Sequence, residues 1–132
     1  MPYVVKQLPN EPILLMTVSS PFDMEKDAPP LFALAAKTAE PIPGHVYCVY
    51  DLRKLELSFG DLVLGLSAQT GHVAGSMSDP NITAVMIGSS EMLKLAEKAF
   101  QQKQYGEIGI KLFGSVEDAT NYVRNLSKQA KV

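Results

Sequence analysis

Three times along this chain a run rich in β-branched and aromatic residues ends at a polar or glycine-bearing turn, and a serine then opens a helical pattern. The runs are residues 46–50 before Ser58, 82–87 before Ser89 and Ser90, and 108–113 before Ser115. Serine suits each junction because its hydroxyl accepts a hydrogen bond from the unpaired N–H groups of a helix's first turn. A strand leading into a helix, repeated, is the unit of an α/β fold. Parallel strands must be joined by crossovers, and the crossovers are right-handed.

The rest of the chain fits that frame. Residues 3–8 and 12–19 are two β-rich runs separated by Pro9-Asn10-Glu11, a turn composition that predicts an antiparallel hairpin. Residues 31–38 are helical in composition, with Pro29-Pro30 in the first turn, where an absent N–H costs least. Residues 59–68 form a second helical pattern carrying Phe59, Leu62, Val63, Leu64 and Leu66, apolar over most of its circumference. In the third, Met92, Leu95, Ala96, Ala99 and Phe100 follow helical spacing, and Gly106 is its expected stop. In the fourth, Val116, Ala119, Val123 and Leu126 form the buried stripe. Residues 70–80, with glycine and serine and no periodicity, read as a mobile loop. The expectation is a single domain over residues 1–132 in the order ββαβαβαβα. About five strands form one mixed, mainly parallel sheet, four helices cover it, and the first strand runs antiparallel at an edge.

Composition narrows the function classes. Twelve basic and fourteen acidic residues leave a net charge of −2 without blocks of either sign, so the basic stripe of a nucleic-acid binder is missing. Apolar runs fall short of the roughly 18 residues that cross a bilayer, and no secretory leader pattern stands at the start. The expectation is a cytoplasmic protein without membrane association. Cys48 lies within an apolar strand and has no partner for a disulfide.

In open α/β sheets ligands bind beyond the carboxyl ends of the strands, at a switch in strand order. Those ends carry Asp51, Arg53, Ser58, Asp61, Ser89 and Ser90, the candidate binding residues. Helix N-termini there suit an anion, while the plainer role for the serines is capping. Ser58 and Asp61 have the spacing of a capping box. Asp51 would resemble a phospho-acceptor only with an acidic pair after the first strand to hold magnesium, and Met16-Thr17-Val18-Ser19-Ser20 has none. His45 and Cys48 fall on opposite faces of a strand and short of the four or so ligands of a structural metal site. His72 has no sequence-visible catalytic partner. No catalytic, metal or cofactor constellation emerges, so a non-enzymatic protein is expected.

Val46-Tyr47-Cys48-Val49-Tyr50-Asp51-Leu52-Arg53-Lys54-Leu55, leading to the apolar helix after Ser58, resembles the STAS/SpoIIAA-like fold of anti-sigma-factor antagonists. So does the terminal Ile110-Lys111-Leu112-Phe113-Gly114-Ser115-Val116-Glu117-Asp118-Ala119, similar to that fold's last strand and helix. Asp79-Pro80, residues 85–89 and Gln104-Tyr105-Gly106 are similar to a bacterial branch of this type. In the antagonists the strand ends in an Asp-Leu-Ser-Gly-like turn, and a Ser-Gly pair opens the phosphorylated helix. Here Asp51-Leu52 is followed by Arg53-Lys54, and Ser58 is followed by Phe59. The resemblance implies a regulatory module acting by protein–protein contact. The apolar second helix is either buried between the sheet and neighbouring helices or, through Phe59, Leu62, Val63 and Leu66, the interface for a protein partner or a second copy in a homodimer. The alternative is a small-molecule or anion binder with its pocket at the strand ends.

Overall fold

The computed structural model describes residues 2–69, 71–102 and 109–130. Strand β1 (Tyr3–Gln7) turns through Asn10, whose φ of 61° is one asparagine tolerates, into the antiparallel β2 (Ile13–Ser19). A crossover through α1 (Ala28–Ala39) leads to β3 (Val46–Lys54), α2 (Phe59–Gln69) to β4 (Ile82–Ile87), and α3 (Glu91–Phe100) to β5 (Lys111–Phe113). Helix α4 (Val116–Ala130) follows. The layout is the expected ββαβαβαβα: one five-stranded sheet, parallel from β2 to β5, with β1 antiparallel at an edge. Residue 108, the expected start of the last strand, and the proposed stop at Gly106 lie outside the described residues.

Strand order follows chain order, β1-β2-β3-β4-β5. Because every crossover advances in the same direction, same-handed crossovers put α1, α2 and α3 on one face. Leu31, Leu62, Leu66, Leu93 and Phe100 there pack on Leu14, Met16, Cys48, Tyr50 and Met86. Among the described residues helix α4 alone covers the other face, with Ala119 and Val123 against Tyr47, Val49, Val85 and Ile87. The stripe expected on α4 is the buried one. Central strand β3 is buried along its first seven residues, as a strand covered on both faces must be. The expected switch in strand order does not exist, so the fold itself singles out no crevice.

Two local expectations change. On α3 the core-facing leucine is Leu93 and not Leu95, which is exposed. Gly88 provides the reason, since its missing side chain leaves a notch that the Leu93 Cδ1 atom fills. Residues 71–80 are not a loose loop. Gly75, Ser76, Met77 and Ser78 are buried. The segment is tied by Gly75 N–H to the Asp79 carboxylate, Met77 N–H to the Gln69 side-chain oxygen and His72 N–H to the Ser78 hydroxyl.

Candidate functional site

The carboxyl ends of the parallel strands bring Asp51, Arg53 and the start of α3 to one rim of the sheet. Asp51 stands beside Ile87 in the β3–β4 register, two residues before Ser89. Between β2 and β3 the register slips by one residue, from Thr17 opposite Asp51 to Ser19 opposite Lys54. Such bulges re-aim side chains at strand ends. Here Arg53 folds back on Asp51, with Nε and Nη2 donating to its two carboxylate oxygens at 2.9 and 2.7 Å. The guanidinium holds the Asp51 carboxyl below the usual carboxylate range, against the opposing effect of partial burial. A carboxylate so neutralised is a structural clamp.

Ser58, Asp61 and Ser90 are engaged with near neighbours as well. Asp61 N–H donates to the Ser58 hydroxyl at 3.1 Å and Ser58 N–H donates to the Asp61 carboxylate at 3.0 Å, a reciprocal capping box. Ser90 caps α3 through Leu93 N–H, and Ser115 caps α4 through Asp118 N–H. Asp61, Glu91 and the pair Glu117 and Asp118 put resident carboxylates in the first turns of α2, α3 and α4. Prolines occupy the first turn of α1. These four helix starts therefore disfavour a second anion. Ser89 is exposed. Among the described residues no hydrogen bond or ion pair joins Asp51 and Arg53 to Ser58 and Asp61 or to Ser89 and Ser90.

Histidines and cysteine are also engaged. His72 Nδ1 donates to the Ser78 carbonyl at 3.0 Å, which turns the ring to backbone support and not toward a hydroxyl. His45 Nε2 lies 2.7 Å from the Thr83 hydroxyl, at the opposite, amino-terminal end of β3 and β4. Cys48 is fully buried, and its thiol is pushed up to about 12 by desolvation and then by the charge of Asp79. That is the reverse of what a nucleophilic cysteine needs. Among the described residues no three His, Cys, Asp or Glu side chains gather as a metal-ligand set. Nor, among them, is any helix long and apolar enough to cross a membrane.

What remains uncommitted is apolar. Helix α2 has Leu62 and Leu66 in the core, so those two members of the expected interface are not available to a partner. The reason is the helical repeat: Leu62, Gly65, Leu66 and Gln69 form the stripe that faces the sheet. Phe59, 63% exposed, and Val63, 40%, stay outside, joined by Leu64 and by Val73 of the following segment. Under α2 lies a cavity of about 80 Å³ bounded by the sheet, α1 and α3. Its walls include Leu52 of β3 and Leu55 and Leu57 of the turn after it, but not Arg53, Ser58, Ser89 or Ser90. Sequence reading missed this space. Its signal was Gly65 at the one inward position of α2 where a large side chain belongs.

Fold and site thus define an α/β sheet protein whose strand-end polar residues mostly bond near neighbours, with an apolar interior space and several exposed apolar side chains at α2. No protein-family model matches the chain, and no curated protein matches it either.

Proposed function

We propose that this protein is a non-enzymatic, cytoplasmic interaction module of STAS/SpoIIAA-like type, working by protein–protein contact and pairing with a second copy as a homodimer. The observation that carries this reading is the outward face of α2. Phe59, Val63 and Leu64 project from a helix whose opposite side already fills the core, and Val73 extends the apolar area. Scattered single apolar side chains need no explanation, whereas Phe59 and Val63 stand one helical turn apart on the same side of α2, which favours reading that side as a contact surface. Symmetric dimers are the commonest way to cover such a surface, since the same patch serves both partners. The small net charge of −2 opposes self-association little. Asp51 with Arg53, Ser58 with Asp61 and Ser90 with Leu93 N–H support this reading, because their polar atoms are taken up locally.

Sedimentation velocity at micromolar concentration tests it. The wild-type chain is expected to sediment as a dimer and Phe59→Asp as a monomer with an unchanged melting temperature. A wild-type chain that stays monomeric, and retains no partner in a pull-down that Phe59→Asp abolishes, overturns it.

A further inference from the structure

We infer that the space beneath α2 is a binding site for the slender hydrocarbon segment of a small molecule, an inference that does not rest on the dimer reading. Protein interiors are ordinarily close-packed. Here the inward stripe of α2 lacks a side chain at Gly65, between Leu62 and Leu66, and a cavity of about 80 Å³ stands at that level. Phe22, Leu31, Leu52, Met86 and Leu93 complete most of its wall.

The wall chemistry selects the ligand. Three polar side chains border the space, and each has a partner within the protein. Tyr50 OH donates to the Gly75 carbonyl at 3.5 Å, the Asp61 carboxylate accepts from Ser58 N–H, and the Gln69 side-chain oxygen accepts from Met77 N–H. Among the described residues no buried side-chain nitrogen or oxygen is left without a hydrogen-bond partner. Against a wall that is otherwise apolar, a polar guest gives up more hydration than the margins of Asp61 and Gln69 return, and water needs two or more polar partners to reside there. An apolar guest loses only its contact with water.

One wall of the space is shared with the outside. Met24, Ala28, Phe32 and Ala68 line both the cavity and an outer groove of about 640 Å³ between α1 and α2. Met24 belongs to that shared wall, its Sδ and Cε atoms both 3.6 Å from where a side chain at position 65 would begin. Methionine is unbranched, with rotatable bonds that let it vacate a slot at little cost. Pro29, Ala33, Leu64 and Val73 carry the apolar lining along the groove. With Met24 turned aside, a chain end enters the interior and the remainder lies in the groove. The interior alone is too small for a ring system with substituents, which is why the guest is slender.

Isothermal titration of the full chain with decanol tests the site. Saturable binding of one molecule per chain, with a raised melting temperature, is expected. Gly65→Leu fills the cavity and is expected to weaken binding by about ten-fold or more, whereas Met24→Ala opens the shared wall and binds at least as tightly as wild type. Should Gly65→Leu fail to fold, Gly65→Ala replaces it: its methyl sits at ordinary contact distance from Met24, alanine favours the helix, and reduced affinity without reduced stability is expected. Leu64 and Val73 belong to both the groove and the proposed dimer face, whereas Phe59 borders neither the cavity nor the groove, so Phe59→Asp is expected to bind decanol at least as tightly as wild type even where it abolishes the dimer. Absence of saturable binding overturns the inference. So does equal binding by wild type and the position-65 variants, because that places the probe on the exterior.

Discussion

Gly75 is where the fold is least forgiving, and Gly75→Ala is the sharpest test of how the segment before β4 is built. A methyl group there would lie 2.0 Å from the Phe32 carbonyl oxygen and 2.9 Å from both the Phe32 carbonyl carbon and Ala36 N. Phe32 and Ala36 are four apart in α1, so the methyl strikes the hydrogen-bonded backbone of a helix and not a flexible side chain. Moreover, Gly75 has φ of 85°, a region costing an L-residue about 1–2 kcal/mol. Overpacking adds about 1–3 kcal/mol, for an expected loss of about 2–5 kcal/mol. Unfolding entropy near 2.1 cal/mol/K per residue, over 132 residues, is about 0.28 kcal/mol/K. The melting temperature should therefore fall by about 7–18 °C. Gly44→Ala is the matched control: φ is 81° but no atom lies within 4 Å, so it should lose only the backbone part. Thermal and urea unfolding followed by circular dichroism measure both. Equal losses in the two variants would refute the close approach of residue 75 to α1.

Other expectations concern the strand-end rim. Ser58→Ala should cost about 1 kcal/mol, and Asp61→Ala a similar amount; because the two bonds are reciprocal, the double variant should lose less than the sum, as a urea double-mutant cycle will read. Asp51 has its carboxyl held low by Arg53, so the stability this pairing contributes is present above the unfolded carboxylate pKa and disappears as pH falls through the lower folded value. Wild type should accordingly exceed Arg53→Gln in urea midpoint at neutral pH and converge with it below about pH 4; a gap widening in acid contradicts the assignment. Cys48 should resist a disulfide reagent in the native state near neutral pH and react on unfolding, since its thiol stays protonated and buried; rapid native labelling would exclude that burial.

The architecture could be read in advance because each element carries its own period. The apolar runs of β3 and β4 and the stripe of α4 depend on neighbours within a few residues. Capping serines were legible for the same reason. Leu93 was not: it and Leu95 both fit a helical stripe, and the choice between them lies in Gly88, on another element. Residues 71–80 carry loop composition, yet they are tied down by Gln69 and by Asp79 and lie against α1. Those are tertiary facts that local composition does not encode. The candidate site failed in an instructive direction. Polar residues at strand ends drew attention through their chemistry, but most of that chemistry is consumed by near neighbours, as with Arg53 on Asp51. The apolar space depends on an absent side chain at Gly65, and absence leaves little trace in a hydrophobic pattern.

The sequential order of the strands has a consequence for how the chain is made. On a ribosome, β2 meets β1 at once, and each later strand emerges with its neighbour already synthesised, so no strand awaits a distant partner. Short-range pairing of this kind favours rapid folding. The exception is the sheet's second face. Tyr47, Val49, Val85 and Ile87 are all made before α4, the helix that covers them. Until α4 emerges, a growing chain presents a half-finished sheet with one face bare. That interval is when a nascent polypeptide of this design is most exposed to aggregation and to capture by a chaperone.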